Sequence, residues 1–255
     1  MKTYAAFLRA WEPAQPEGDV HPDLEDFVRT KLARYADDRD HPAREGTSRL
    51  SPLIANGEVT IGDCAAAARS APASKGRQKW LSELAWHDWF EYVKSQGLDA
   101  PRIEPRWDAP GERFERWRRG ETGFPLVDAG MRELAETGWM HNRARMVTAS
   151  FLVKHLHVDW RAGEGHFADL LVDYDPAQNE GNWQWVAGTG IDAQPWFRIF
   201  NPERQRERFD PDGTYCRRWV PEWETGAYPE PMIDLARQAA EAKERYQAAR
   251  ARLSE

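Results

Sequence analysis

The sequence has little of what marks a secreted, membrane-bound or disulfide-stabilised protein. Two cysteines, Cys64 and Cys216, are too few for a disulfide framework and lack the spacing of a metal site. No apolar run approaches the roughly 20 residues that cross a bilayer, and the N-terminus lacks the basic and then apolar pattern of a signal peptide. We therefore expect a cytoplasmic protein with free thiols, no membrane contact and no metal.

Strand patterns and repeats are also missing. Alternation of period two never lasts more than a few residues, and neither a βαβ rhythm nor an internal repeat is present. Apolar residues at 80, 81, 84, 85, 89, 90 and 93 instead predict a helix over 78–94, ended by Gly97. Another helix is predicted with Ser51 as its N-cap and Pro52 as its first residue. The remaining predicted helices cover residues 24–33, 112–119, 126–136, 143–155, 163–171 and 233–253.

These patterns place the chain in the all-α class. Hydrophobic residues make up 41% of the sequence, which is typical of a globular protein rather than of a disordered one. We expect one domain of many helices, in which a lead-in segment, residues 1–46, packs on the main part, residues 47–255.

Charge and aromatic content leave two roles open for several residues. The net charge of −7 argues against a protein that coats DNA without regard to sequence. The 13 tryptophans suggest stacking surfaces or redox use beside core packing, because each indole N–H needs a partner. Two arginine clusters are either solvated helix faces or phosphate-binding stripes: Arg113, Arg116, Arg118 and Arg119, then Arg198, Arg204, Arg206 and Arg208.

Two short stretches in the first half combine residue types that carry chemistry. Residues 47–52 (TSRLSP) offer three hydroxyls, an arginine and the free N–H groups of a helix start, which suit phosphate oxygens as well as an ordinary capped helix. Glu83 and Trp86, three residues apart, share a helix face. A carboxylate beside an indole suits a pocket that stacks a flat ring and accepts its N–H groups, although a half-exposed amphipathic helix explains the pair equally.

A third stretch lies at the start of the predicted helix 143–155. Asn142 and Met146 share a helix face, with Arg145 between them and Arg143 turned away. One face therefore offers an amide, a thioether and a cation, while Arg143 could reach a backbone phosphate.

The fourth stretch, residues 173–185 (DYDPAQNEGNWQW), reads as a polar insertion between apolar helices, with turns expected before Trp183 and at Gly188. Loops of this kind tend to carry function. Its acids could bind a metal or act as an acid–base pair, but no third ligand and no nucleophile accompany them.

In their order and spacing these stretches resemble one family. Residues 47–52, 122–125 (TGFP), 138–146 (GWMHNRARM) and 182–202 (NWQWVAGTGIDAQPWFRIFNP) are similar to the photolyase/cryptochrome family, most of all to its class I cyclobutane pyrimidine dimer photolyases. The resemblance implies a helical FAD-binding domain. Members of the family place a parallel-sheet antenna domain before this region, whereas this sequence begins inside what would be the segment between the two domains. We therefore expect no antenna chromophore.

The resemblance also implies a U-shaped FAD that is active as FADH⁻, and it assigns residues to the cofactor. Asn179 would face flavin N5, where an uncharged amide favours repair over signalling. Arg145 and Asp173 would form an ion pair beside the flavin. The other cofactor residues implied are Tyr35, Thr47, Ser48, Arg49, Leu50, Ser51, Trp80, Tyr174 and Asp175.

The activity implied is that of a carbon–carbon lyase driven by light. Reduced FAD donates an electron to a flipped-out cyclobutane pyrimidine dimer, which splits into two pyrimidines. Glu83 would hydrogen-bond the flipped bases, and Trp86 would stack on them. The other residues implied at the lesion or the DNA strand are Arg39, Asn142, Arg143, Met146, Trp185, Arg198 and Gln205. The partner is UV-damaged DNA, and no obligate protein partner is implied.

Three tryptophans match the family's relay, which reduces the flavin from the surface inward: Trp183, Trp160 and Trp107. Only the resemblance joins them, because their spacing in the sequence does not. Two positions depart from the family pattern, since His87 stands where an arginine is usual and Trp89 where a phenylalanine is usual.

Three other interpretations remain open at this point. A flavin photoreceptor of the cryptochrome type would signal to a partner protein instead of repairing DNA. A (6-4) photolyase needs a histidine pair, for which His141 alone is near the right place, whereas Asn142 and Met146 resemble the cyclobutane type. A chain that folds or binds FAD poorly without the antenna domain is the last alternative, because a former interface would be exposed.

Overall fold

The computed structural model describes residues 3–16 and 19–253, and it consists of helices and connecting segments. Within these residues the only strand-like pairing is an isolated bridge between Asp108 and Val158, which confirms the all-α class. The chain divides into two compact units, Met1–Leu98 with Val172–Gln178 and Asp99–Leu171 with Asn179–Glu255. None of the described helices is long and apolar enough to cross a membrane.

The first unit is built around its longest helix. Its helices are α1 (Tyr4–Ala10), α2 (Pro22–Thr30), α3 (Tyr35–Asp38), α4 (Ser51–Ala55), α5 (Ile61–Ser70) and α6 (Lys75–Ser95), with a 3₁₀ turn over Leu32–Arg34. Helix α6 contacts α1, α3, α5 and the 3₁₀ turn. The predicted lead-in segment lies within this unit, and its distinction from the main part at residue 46 stays a prediction. That the whole chain is one domain stays a prediction.

A glycine allows the closest packing in the first unit. The 3₁₀ turn lies against the first turn of α6 at Gly76, where an added Cβ would lie 1.9 Å from the Leu32 carbonyl oxygen. Any other residue would push the turn away. Beneath this contact, Leu32 packs with Phe27, Trp80 and Leu84 in the core of the unit.

The second unit surrounds helix α8. Its helices are α7 (Glu112–Arg118), α8 (Pro125–Thr137), α9 (Asn142–Lys154), α10 (Trp160–Leu170), α11 (Pro176–Ala187, whose first turn belongs to the first unit), α12 (Pro202–Phe209), α13 (Thr214–Trp219) and α14 (Leu235–Arg252). Helix α8 contacts α7, α9, α12 and α13. The predicted helices in this unit agree with α7 to α10 and α14 within about three residues.

A buried carboxylate fixes the start of α8. Asp128 accepts hydrogen bonds from the backbone N–H groups of Thr122 (2.8 Å) and Gly123 (3.0 Å) and from the hydroxyl of Tyr228 (2.6 Å). Burial raises the pKa of Asp128, and the donors act against that rise. One side chain therefore satisfies two backbone N–H groups of the TGFP stretch, and the Thr122 hydroxyl accepts from a third, that of Phe124 (3.2 Å).

Two local predictions were wrong. Residues 176–187 are not a loop but helix α11, and the turn expected before Trp183 is absent from it, whereas Gly188 does turn the chain, with a φ of +73°. Ser51 is the first residue of α4 rather than its N-cap, because buried Leu50 already has nearly helical dihedral angles (φ −85°, ψ −5°).

Burial of an imidazole makes the stability of the second unit depend on pH. His155 is 1% exposed and packs on Phe151. Burial, and to a lesser degree His157, lowers the pKa of His155 to about 4. The folded chain therefore binds fewer protons than the unfolded chain, in which a histidine has a pKa of about 6.5.

We expect stability to fall as pH decreases from about 6.5 towards 4, by up to about 3 kcal/mol from His155. Urea unfolding followed by circular dichroism at pH 7.5 and pH 4.5 measures the loss. In His155→Leu the difference between the two pH values should shrink by about that amount, whatever the variant's stability at pH 7.5. An equal pH difference in both proteins would show that the pKa of His155 is the same in the folded and the unfolded chain.

Candidate functional site

Helix α6 carries a carboxylate between two cations. Glu83 lies against the guanidinium of Arg39, and Lys79 Nζ is 2.6 Å from its Oε1. Arg39 comes from the end of α3, and its guanidinium carbon is 5.4 Å from the centroid of the Tyr35 ring. The two cations fix the position of Glu83 and stabilise its negative charge, so that it can accept hydrogen bonds from a ligand.

The structure gives Arg39 a position that the sequence did not suggest. Its side chain is only 10% exposed and forms an ion pair with Glu83. A contact between Arg39 and a DNA strand stays a prediction. Within the first unit, Arg39 holds the carboxylate of Glu83 in place.

Trp86 lies one helical turn beyond Glu83 and is half-buried. The ring of Tyr4, from α1, is stacked on it with centroids 3.6 Å apart and an angle of 14° between the planes. An aromatic plate beside an ionic carboxylate is thus present, as the spacing of the two residues predicted.

The two departures from the family pattern differ in position. Trp89 is fully buried and packs on Phe7 and Tyr92, so the larger ring fills space under α1. His87 is 24% exposed in its side chain, and its backbone carbonyl accepts a hydrogen bond from Gln178 (2.9 Å). Only His87 can therefore affect a ligand directly.

Residues 47–51 form the approach to α4. Ser48 Oγ accepts a hydrogen bond from the backbone N–H of Leu50 (3.4 Å), and Arg49 has a left-handed backbone with a φ of +58°. Leu50 anchors the segment in the core, whereas Thr47, Ser48 and Ser51 are only partly buried. The hydroxyls are consequently held on a rigid, partly accessible turn.

Tyr35 and Trp80 form an aromatic cluster in the first unit. Both pack on Phe27, with ring centroids at 5.9 Å and 4.7 Å from it. Burial raises the pKa of Tyr35, which keeps its hydroxyl protonated as a donor at neutral pH.

The acidic stretch before α11 divides into three environments. Asp173 is buried, Tyr174 is exposed, and Asp175 caps the helix. Asp175 Oδ1 accepts hydrogen bonds from the backbone N–H groups of Ala177 (2.8 Å) and Gln178 (2.9 Å). Arg145 lies in the second unit, and its predicted ion pair with Asp173 stays a prediction.

Asn179 is held by a neighbour in the second unit that the sequence did not reveal. Its Nδ2 donates to the carbonyl oxygen (3.0 Å) and to Oε1 (2.8 Å) of Glu164. Both N–H bonds of the amide are engaged, so its carbonyl oxygen is the end left for a ligand. Residues 15 positions apart on different helices show no periodic signal, which is why Glu164 was missed.

The three relay tryptophans lie in the second unit. Trp183 and Trp160 are each 3% exposed, whereas Trp107 is half-buried and donates its indole N–H to Glu104 (2.7 Å). Trp117, which the sequence analysis did not single out, lies edge-on to Trp183 with centroids 6.3 Å apart. Electron transfer along the three stays a prediction.

The start of α9 agrees with the predicted face. Asn142 Nδ2 lies 3.7 Å from Met146 Sδ, which places the amide and thioether side by side. Arg145 donates to the Met140 carbonyl (2.7 Å), and the guanidinium of Arg143 lies over the Phe209 ring at 4.2 Å.

The remaining predicted DNA residues are partly accessible. Trp185 and Gln205 are half-buried, and Arg198 is exposed with its guanidinium 5.7 Å from the Phe200 ring. Within the described residues, no group of three or more histidine, cysteine, aspartate or glutamate side chains could hold a metal.

The comparisons with known proteins identify the family. A family model described as the FAD binding domain of DNA photolyase matches residues 80–227. The chain therefore belongs to this family of flavin-binding helical domains. The most similar curated relatives include the deoxyribodipyrimidine photo-lyases of Vibrio cholerae, 48% identical over 80% of this chain, and of Escherichia coli, 38% identical over 89%. The alignments cover 46% and 55% of those two proteins, so the chain spans about half of their length.

Solved structures agree with this assignment. A bacterial class III photolyase from Agrobacterium tumefaciens is 40% identical, with a TM-score of 0.82 over 89% of this chain and 55% of its own. The cryptochrome of Synechocystis is 30% identical, with a TM-score of 0.81 over 95% of this chain and 56% of its own. Because photolyases of another class and a cryptochrome share the fold, the class I assignment stays a prediction.

The cap at the start of α11 can be tested by stability. Asp175→Ala should lower the free energy of unfolding by about 1–2 kcal/mol, because two backbone N–H groups lose their acceptor. Asp175→Asn is the matched control, since asparagine caps helices about as well, and it should cost less than about 0.5 kcal/mol. Urea unfolding at neutral pH measures both. Equal losses in the two variants would mean that the charge of Asp175, and not its cap, stabilises the fold.

Proposed function

We propose that this chain binds FAD and repairs cyclobutane pyrimidine dimers in DNA under blue light, as a deoxyribodipyrimidine photolyase does. The observation that carries the proposal is the arrangement on α6, where a carboxylate fixed by Arg39 and Lys79 stands one turn from an indole plate. This pair matches a flipped pyrimidine, which offers imide N–H donors at its edge and a flat face for stacking.

The residues assigned to FAD suit its parts. The hydroxyls of Thr47, Ser48 and Ser51 and the 44%-exposed side chain of Arg49 provide donors for the pyrophosphate and ribityl groups. Tyr35 adds a protonated phenol, and Trp80 supplies an apolar wall. Leu50, Tyr174, Asp175 and the proposed pair Arg145 with Asp173 complete the set.

When bound, reduced FAD supplies the electron that opens the cyclobutane ring, and the protein supplies binding, orientation and exclusion of water. Glu83 would accept the N–H groups of the flipped bases while Trp86 and Trp185 stack on them. Asn142 and Met146 are also assigned to the lesion, and Arg39, Arg143, Arg198 and Gln205 are assigned to the DNA strand. No acid or base is needed.

We also propose that the relay Trp183, Trp160 and Trp107 supplies electrons to the cofactor. The two buried rings and the half-buried third are consistent with a path that ends at the surface.

The main experiment measures repair directly. Purified protein with chemically reduced flavin should restore thymine absorbance of a dimer-containing oligonucleotide in light and not in darkness. Glu83→Ala should weaken dimer binding about tenfold or more, since it removes a charged acceptor from the bases. Glu25→Ala removes the same charge from an exposed position on α2 and should bind as the unaltered chain does. No light-dependent repair by the fully reduced protein would overturn the proposed function.

The role of Asn179 has a test that does not need DNA. If its carbonyl oxygen faces flavin N5, Glu164→Ala should remove one of the two bonds that orient the amide, leaving the bond to the backbone carbonyl, and speed the reoxidation of reduced flavin in air about three- to tenfold. Glu164→Gln keeps an acceptor oxygen within reach of Asn179 and should change the rate less than about twofold. Flavin absorbance after illumination under anaerobic buffer and admission of air gives the rate. An unchanged rate in Glu164→Ala would contradict the orienting role.

A flavin photoreceptor is the second candidate, because the fold matches the Synechocystis cryptochrome over 95% of this chain. A photoreceptor would bind FAD and respond to blue light without restoring thymine absorbance. The repair assay therefore separates the two functions.

A further inference from the structure

The lead-in helix α1 contacts the plate on which a lesion would stack. Tyr4 lies face to face with Trp86, and its hydroxyl donates to the Ser82 carbonyl (2.7 Å) and lies 3.1 Å from Ser82 Oγ. Aromatic pairs prefer offset or edge-on arrangements. A face-to-face pair thus depends on something that holds the phenol flat, and the bonds to Ser82 do so.

Helix α1 is firmly attached to α6 beyond this contact. Phe7 packs on Trp89 and Tyr92 with ring centroids 5.5 Å and 5.6 Å away. Trp11, at its C-terminal end, donates its indole N–H to Asp88 (2.7 Å). Tyr4 is accordingly part of the packed unit rather than a loose segment lying in a pocket.

The spacing along α6 separates the two sides of Trp86. Residues 82, 86 and 89 form the stripe that α1 covers, whereas residues 79, 83 and 86 form the stripe with the ionic cluster. Trp86 is where the stripes meet. The Tyr4 ring covers one face of the indole, and Phe90 approaches the indole at a tilt, with centroids 5.7 Å apart. The face away from Tyr4 is the one that we assign to a base.

We propose that Tyr4 is a positioning residue for the lesion: it backs the indole of Trp86, fixes its plane, and leaves one face for a pyrimidine of the flipped dimer. The inference rests on the proposed function. A plate fixed before binding loses less side-chain freedom when the base arrives, which favours affinity for the lesion without any contact between Tyr4 and DNA. Undamaged DNA does not insert a base, so its affinity does not depend on the fixed indole.

The test compares dark binding of two oligonucleotides, one with a single thymine dimer and one undamaged, by fluorescence anisotropy on the flavin-loaded chain. Tyr4→Ala should raise the Kd for the dimer about three- to tenfold and leave that for undamaged DNA within about twofold. Tyr4→Phe keeps the ring but loses the bonds to Ser82 that hold it flat, so its Kd for the dimer should lie between those of Leu8→Ala and Tyr4→Ala. Leu8→Ala, which shortens an exposed side chain of the same helix, is the matched control.

The outcomes distinguish a failure of the role of Tyr4 from a failure of the proposed function. Discrimination by Tyr4→Ala equal to that of the unaltered chain would overturn the inference alone. Tighter dimer binding by Tyr4→Ala would also overturn it, because Tyr4 would then occupy the place of the base. An unaltered chain that binds both oligonucleotides equally would contradict the proposed function itself. If Tyr4→Ala loses flavin or helical signal, Tyr4→Phe decides, and a Kd for the dimer equal to that of Leu8→Ala would overturn the inference.

Discussion

The end of helix α11 is held by a buried lysine, beside the Tyr246 hydroxyl that donates to the same Ala187 carbonyl. Lys154 is fully buried, and its Nζ donates to the carbonyls of Ala187 (2.8 Å) and Trp196 (3.2 Å) while lying 3.6 Å from the centroid of the Tyr246 ring. Burial lowers its pKa well below the usual range, which makes the cost of keeping it charged part of the cost of folding. The last carbonyls of a helix need donors, and an apolar side chain here would leave the Trp196 carbonyl without this one. Because α11 carries Asn179 and Trp183, a lysine from another helix fixes the end of the element on which two of the proposed functional residues lie.

Much of the fold could be predicted because its helices follow from the local periodicity of apolar residues. Helix α6 was predicted from apolar spacing alone, and it ends at Ser95, one residue beyond the expected end. Helix α11 was not predicted, because Asn, Gln, Gly and Trp are poor evidence for a helix. Its start is defined by Asp175, whose side chain accepts hydrogen bonds from two backbone N–H groups. Helix α1 was missed because seven residues give too short a pattern, and its burial comes from contacts with α6 some 78 positions away.

The candidate site shows the same division. Glu83 with Trp86 was recognisable because the two are neighbours on one helix, and the structure places them as the spacing required. Their partners were not, since Tyr4 and Arg39 reach α6 only through tertiary packing. A sequence motif therefore identifies the atoms that touch a ligand better than it identifies the groups that hold those atoms in place. The latter decide how rigid the site is, and rigidity is what separates a binding surface from a reactive one.

The net charge of −7 does not argue against a function on DNA, because the two arginine clusters have different partners. On and beside α7, Arg118 pairs with Glu115 and Arg119 with Glu112, which cancels the local field. Around α12, Arg198 and Arg208 lie instead against the rings of Phe200 and Phe209. A guanidinium on an aromatic face keeps its charge and its N–H edge, so this stretch is better suited to contact phosphates than the ion-paired arginines at α7. Under the proposed function such a restricted positive surface is an advantage, because a uniformly basic one would bind undamaged DNA with similar strength.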